Sequence, residues 1–298
     1  MHIPVLKKEV LEYLNPKPNE NFVDATIGFG GHTSVILERN KPKGKVLGIE
    51  ADHEFCKLVK KEFSEKPYQA EIRERFILVN DSYINLKEIV KKYKFQPLKG
   101  ILFDLGMSSW HLKESGRGFS FQKNEPLDMR YNQKNLETAE RILNYRSFFE
   151  IEKILREYGE EEFSQKIAGN IVATRKLKPI RTTSQLVEIV KKSVPFWYRK
   201  QKRHFATFTF QALRIEVNDE LNNLEKSLPQ TLDVLAKGGR LVIISFHSLE
   251  DRIVKNFFLS KESYELDILT KKPVIPTNQE VKINPSSRSA KLRAAVKK

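Results

Sequence analysis

One cysteine in 298 residues, Cys56, cannot close a disulfide within the chain, which fits a reducing cytosol. No apolar run approaches the roughly twenty residues that a bilayer-spanning helix needs. A secretory leader is also missing, because Pro4 and charged Lys7, Lys8 and Glu9 interrupt the opening residues. These absences predict a cytoplasmic chain with no membrane partner. The six histidines, His2, His32, His53, His111, His204 and His247, show no metal-ligand spacing, so no metal is expected. Acids are short as well: 38 Asp and Glu stand against 53 Lys and Arg, a net charge of +15. A chain that basic most often meets a polyanion.

Two nucleotide signatures fail within one stretch, Asp24-Ala-Thr-Ile-Gly-Phe-Gly-Gly-His32. A dinucleotide fingerprint beginning at Gly28 needs glycine at position 33, which is Thr33. A phosphate loop needs Gly-Lys-Ser/Thr, and Gly31-His32-Thr33 has no lysine. What remains is an acid, a spacer and a glycine cluster. Phe22 and Val23 lead in as a buried strand, and Val35, Ile36 and Leu37 continue as a helix. A second strand, 45–50, ends in Glu50, placed to take the hydroxyls of a ribose. Strand, glycine turn, helix and acid suit an adenosine ligand without phosphates. This arrangement resembles the first motif of S-adenosylmethionine-dependent methyltransferases. Asp24 would face the amine side of that cofactor, and the N–H groups of Gly30 and Gly31 its carboxylate. The alternative is a tight turn in an ordinary α/β domain.

Further strands are predicted at 75–80 and 100–104, with helices between them. Near-continuous apolar strands of this kind make a parallel sheet covered on both faces. Asp24, Glu50, Asp81, Tyr83 and Asp104 fall at the carboxyl ends, where such sheets bind ligands. Several acids together favour a cationic ligand. After Asp104 the periodicity stops, and 105–131 reads as a functional loop. Helices follow, two of them opened by the capping boxes Ser147–Glu150 and Thr182–Gln185. The sheet resumes after one long helix, predicted over 208–235, with a strand at 240–246. Ser248 is read as the cap of the helix after it. Two extended stretches, 267–275 and 289–296, predict a closing antiparallel hairpin.

The fold class is therefore α/β, a Rossmann-like methyltransferase sheet with an inserted α-helical domain. The predicted division is 1–111 and 206–298 for the sheet domain and 112–205 for the insertion. Charge is concentrated in that insertion: from Arg175 to His204 there are ten Lys or Arg and one acid, Glu188. Phe196-Trp-Tyr198 precedes Arg199, Lys200, Lys202 and Arg203. Cations interleaved with aromatics hold phosphates and stack bases at once. A solvated basic helix face is the competing reading.

The strings that carry a closer resemblance run the length of the chain. They are His2-x-Pro-Val-Leu6, the glycine stretch 24–32, Asp104-Leu-Gly-x-Ser-Ser109, Arg117-Gly-Phe-Ser-Phe121 and Pro126-Leu-Asp-Met-Arg130. Phe210-Gln-Ala-Leu-Arg-Ile215, Val217-Asn218-x-Glu-Leu221, Gly238 to Arg252 and Arg288-Ser-Ala-Lys-Leu-Arg293 complete the set. Together they resemble the bacterial MraW family, also called RsmH. The resemblance implies S-adenosylmethionine as cofactor and N4-methylation of a cytidine in 16S ribosomal RNA, at the decoding centre of the small subunit. The implied partner is small-subunit ribosomal RNA or the assembled small ribosomal subunit. It implies cofactor contacts at Gly30, Gly31, His32, Glu50, Tyr83, Asp104 and His111.

Five positions depart from the family's usual residues: Glu50 for Asp, Tyr83 for Phe, His111 for Gln, Phe208 for Arg and Glu125 for Gly. Two roles are open to Asp104, holding the reacting amine or only binding cofactor. His32 either touches ligand or caps the turn. Arg117, Arg130 and Arg214 either meet RNA phosphates or pin the long loop onto the sheet. An RNA-binding ribosome assembly factor with a vestigial cofactor site is the alternative function, and a methyltransferase of a small-molecule or protein amine is a third.

Overall fold

Strand β1 (Asn21–Asp24) places Phe22 and Val23 at zero exposure, with parallel neighbours on both sides. It pairs with β2 (Val46–Glu50) and β4 (Leu98–Asp104). Beyond β2 lies β3 (Phe76–Asn80), and beyond β4 lies β5 (Leu235–Ser245). The last two strands are β6 (Leu266–Ile268) and β7 (Lys291–Lys297). In this computed structural model, which describes residues 3–65 and 74–298, the sheet order is β3-β2-β1-β4-β5-β7-β6. His2 of the first sequence string lies outside the described residues.

Strands β1 to β5 run parallel, while β7 is antiparallel to both β5 and β6. The fold is thus the mostly parallel sheet with an antiparallel closure that the pattern predicts. The chain winds outward from β1 through β2 to β3, then returns to the other side for β4 and β5. The strand order thus reverses between β1 and β4, and the carboxyl ends beside such a reversal are the usual ligand position in these sheets. A contiguous core of Val23, Leu47, Ile49, Ile101, Phe103, Leu241 and Ile243 fixes the sheet from within.

The chain divides into two compact units, Met1–Met107 with Leu221–Lys298, and Ser108–Glu220. The second is helical: Ala139–Tyr145, Phe148–Gly159, Ser164–Leu177, Thr183–Ser193 and Thr207–Asn218 are its longer helices. Both predicted capping boxes form, Ser147 with Glu150 and Thr182 with Gln185. The units divide at 107/108 and 220/221, whereas the sequence reading divides at 111/112 and 205/206. The long helix predicted over 208–235 is two helices, Thr207–Asn218 and Glu220–Val234, separated by Asp219 at φ 52°. A residue in that left-handed conformation cannot continue an α-helix. The first of the two belongs to the helical unit and packs on Phe148–Gly159. A Cβ on Gly159 would stand 2.7 Å from the Phe208 carbonyl oxygen, so the close approach requires glycine.

Candidate active site

The glycine turn opens where β1 ends. Gly28 and Gly30 have φ of 53° and 71°, so the backbone curls left-handed before Gly31–Arg39 forms a helix. Asp24 is 1% exposed, and both its oxygens are engaged inside the protein. Its Oδ2 accepts from the Thr33 hydroxyl at 2.7 Å, and its Oδ1 from the Thr26 N–H at 3.4 Å. Asp24 therefore braces the turn, which corrects the expectation that it faces a ligand amine. Burial pushes its carboxyl up to about 6, against the lowering from the Thr33 and Thr26 hydrogen bonds. Thr26 does a second job: its Oγ1 accepts from the Asp104 N–H at 2.6 Å, tying the turn to the end of β4.

Glu50, Asp81 and Asp104 are the acids left at the strand ends, and Asp81 Oδ1 accepts from the Ser82 N–H at 2.7 Å and from Asn85 Nδ2 at 2.9 Å. Glu50 is partly exposed, and its Oε1 accepts from the Asp52 N–H at 2.9 Å. Burial, with the nearby Asp52 and Asp24 charges, raises its carboxyl to about 8, although hydrogen bonds from Asp52 and Ala51 oppose the shift. Asp104 is held well above the usual carboxylate range, by burial first and then by the charges of Asp24 and Glu250. Its Oδ1 is buried and accepts no hydrogen bond among the described residues. His32 is 5% exposed, with Nε2 3.6 Å from Asp104 Oδ2. The Tyr83 ring meets Phe103 edge-on at 5.6 Å in the turn after β3. Gly30, Gly31, His32, Glu50, Tyr83 and Asp104 all lie in the sheet unit, around the carboxyl ends of β1 to β4.

Acids that burial and one another's charge hold back from ionising favour a cation that relieves their mutual repulsion. Glycine N–H groups, a strand-end acid and the Oδ1 of Asp104 are groups that S-adenosylmethionine can engage, since it brings a sulfonium, an ammonium and an adenosine. A pH dependence follows. An acid raised in the folded state binds its proton more tightly there, so it adds stability at low pH that disappears as pH rises through its folded value. Between about pH 4 and 8 the ligand-free protein should therefore lose stability as Asp24 and Glu50 ionise, on the order of a few kcal/mol. Affinity for S-adenosylhomocysteine should rise over the upper part of that range, because the ionised Glu50 is the better hydroxyl acceptor. Melting and calorimetry at pH 5.5, 7 and 8.5 test both, with Glu50→Gln expected to flatten the two slopes. Equal slopes in wild type and variant would contradict the role given to Glu50.

His111 lies in the helical unit. It is 4% exposed, with Nδ1 3.1 Å from Ser108 Oγ, and Trp110, Phe119 and Tyr131 surround its ring. Three of the arginines named for RNA are engaged within the same unit. Arg117 is 6% exposed, donates to the carbonyls of Arg130 and Tyr131, and lies over the Trp110 ring. Arg130 grips Asp128 through two hydrogen bonds of 2.8 Å and donates to the carbonyls of Gln133 and Asn135. Arg214 pairs with Glu220 at 2.9 Å. Arg117 and Arg130 thus hold the loop to its own residues and to the turn after it, and Arg214 pairs outside the loop. Glu125, where the family commonly has glycine, joins the same loop by accepting from the Gly118 N–H at 2.9 Å.

The other four cations stand differently. Lys200, Lys202 and Arg203 are exposed, and Arg199 is partly so. Beside them Phe196 is 66% exposed and Trp197 55%, while Tyr198 is buried with its hydroxyl donating to Glu161 Oε1 at 3.0 Å. Lys200 Nζ lies 5.2 Å from the Phe196 ring centre, and the Arg203 guanidinium lies 4.5 Å from that of Phe208. Two aromatic rings are thus displayed among cations on a base anchored by Tyr198. Sequence reasoning missed the bracing pair Thr26 and Thr33, and it assigned the later helix cap to Ser248. The cap is His247, whose Nδ1 accepts from the Glu250 N–H.

Residues 1–298 match the model of the MraW methylase family. A protein from Dictyoglomus thermophilum is 46% identical over 294 residues, covering 98% of this chain and 95% of its own length. One from Thermosipho melanesiensis is 48% identical, covering 99% and 97%. One from Sulfurihydrogenibium azorense is 46% identical, covering 99% and 98%. All three are named ribosomal RNA small subunit methyltransferase H. Identity at that level along nearly every residue, on a sheet with this glycine turn and these strand-end acids, leaves one conclusion: the chain belongs to the MraW methylase family and is an S-adenosylmethionine-dependent methyltransferase.

Proposed function

We propose that the protein methylates the exocyclic N4 of a cytidine in 16S ribosomal RNA, at the decoding centre of the small subunit, in the cytoplasm. The observation that carries an RNA substrate is the exposed Phe196 and Trp197 among Arg199, Lys200, Lys202 and Arg203. The ribosomal RNA small subunit named for the relatives agrees with it. The cytidine and its N4 rest on the sequence strings shared with the family.

S-adenosylmethionine supplies an electrophilic methyl group and departs as S-adenosylhomocysteine. Gly30 and Gly31 would hold its carboxylate, and Glu50 its ribose. The lone pair of a cytosine amine is delocalised into the ring, so the amine is a poor nucleophile. Asp104 would accept a hydrogen bond from one amine N–H, and the Leu105 carbonyl from the other, turning the lone pair toward the methyl. As the N–C bond forms, the amine loses a proton. Asp104 is suited to take it, since burial and neighbouring acids make its carboxyl a strong proton acceptor. Orientation of the two reactants supplies most of the acceleration. The base must leave its stack to reach the methyl.

Transfer of labelled methyl from S-adenosylmethionine to small-subunit RNA or subunits tests the reading, with nucleoside mass spectrometry to locate the label on N4-methylcytidine. Binding without transfer would favour the assembly-factor alternative instead. Changing Arg199, Lys200, Lys202 and Arg203 together to alanine should weaken RNA binding and flatten its salt dependence by about 0.7 in log–log slope per lost phosphate contact. Trp197→Ala should cost about 1–3 kcal/mol of RNA affinity with little change in salt slope. Filter binding across a salt series measures both, and an unchanged slope in the fourfold variant would remove those cations from the RNA surface.

A further inference from the structure

The opening Pro-Val-Leu string has no part in the donor site described above, yet the fold gives it a position there. Pro4 lies against the glycine turn: a Cβ added to Gly31 would stand 3.2 Å from Pro4 Cβ and Cγ. The segment 3–6 is held down by the far end of the chain. The Leu6 N–H donates to Glu280 Oε1 at 2.7 Å across 274 residues of sequence, and Asn284 Nδ2 donates to the Ile3 carbonyl at 3.0 Å. Glu280 sits in the helix Asn278–Ile283, and Asn284 caps its end. Leu6 has φ 52° and is fully buried. A leucine keeps that conformation only where its surroundings enforce it.

We propose that Glu280 and Asn284 are positioning residues for donor binding. They clasp the N-terminal segment, and through Pro4 that segment holds Gly30 and Gly31 in the conformation that receives the donor's carboxylate. Two adjacent glycines have wide conformational freedom, which a ligand must otherwise remove on binding. A clasp that removes it beforehand raises donor affinity and leaves the rate at saturation alone. The inference rests on the donor placement given under the proposed function.

The test uses the full chain with Glu280→Ala and Asn284→Ala, singly and combined, and with Glu280→Gln, which keeps an oxygen to accept from Leu6. The combined alanine variant should bind S-adenosylhomocysteine about fivefold or more weakly, with KM for S-adenosylmethionine raised by the same factor and kcat within about twofold. Glu280→Gln should stay close to wild type. Wild-type affinity in the combined variant overturns the proposal, and so does a loss of kcat and thermal stability with KM unchanged. Should that variant fail to fold, Pro4→Ala keeps both hydrogen bonds and removes the ring from Gly31. Weakened S-adenosylhomocysteine binding by Pro4→Ala supports the proposal, and wild-type affinity overturns it. If the wild-type chain itself does not bind S-adenosylhomocysteine, the donor placement has failed, a result distinct from equal binding by wild type and variants.

Discussion

Replacing Asp104 by alanine is expected to slow methyl transfer at least about a hundredfold while RNA affinity stays within about twofold. The expectation comes from the position of the carboxyl. It stands at the end of β4 with its backbone N–H fixed by Thr26, one oxygen buried and accepting no hydrogen bond among the described residues, and the other 3.6 Å from His32 Nε2. Asparagine separates its two possible duties. Asp104→Asn keeps an oxygen to accept from an amine N–H but cannot take up a proton at neutral pH. If proton uptake matters, the variant should be nearly as slow as alanine, and the wild-type kcat should rise with pH as Asp104 ionises while that of the variant should not. If Asp104 only helps to hold the donor, both variants should raise KM for S-adenosylmethionine and spare kcat. Parallel losses of turnover and RNA binding in the alanine variant would refute the catalytic role.

Gly30→Ala should abolish measurable donor binding and lower the melting temperature by roughly 5–15 °C. Two costs combine. An alanine at φ 71° is strained by about 1–2 kcal/mol. Its Cβ would also stand 2.2 Å from Phe63 Cε2, in a ring that is 8% exposed and stacked on Phe76 at 4.3 Å, so the ring must move, for about 1–3 kcal/mol more. Gly28→Ala is the control. It shares the left-handed backbone, with φ 53°, but its Cβ would meet nothing within 4 Å. Its loss should stop at the conformational cost. Thermal melts with and without S-adenosylhomocysteine compare the two, and equal behaviour would mean that the Phe63 contact is not limiting.

The sheet was legible because its signals are local. Apolar runs ending in an acid mark the parallel strands, and the glycine stretch marks the turn. Capping boxes at Ser147 and Thr182 mark helix starts within four residues of sequence. What was not legible depends on contacts between distant residues. Asp24 looks like a ligand acid in the sequence, and only the hydroxyl of Thr33, nine positions on, shows it to be a brace. Arg117 and Arg130 look like phosphate contacts until the loop folds back to offer them its carbonyls. The break at Asp219 has no glycine or proline to announce it, since the apolar spacing runs straight through. Lys200, Lys202 and Arg203 differ from Arg117 and Arg214 by exposure and by the partners that burial supplies, which composition does not encode.

The most direct test of the donor site is calorimetric titration of the ligand-free protein with S-adenosylhomocysteine, at a pH where Glu50 is ionised. One-to-one binding that Glu50→Ala and Gly30→Ala both abolish is the predicted result. No heat with this ligand, alongside saturable binding of a nicotinamide dinucleotide or a nucleoside triphosphate, would contradict the account.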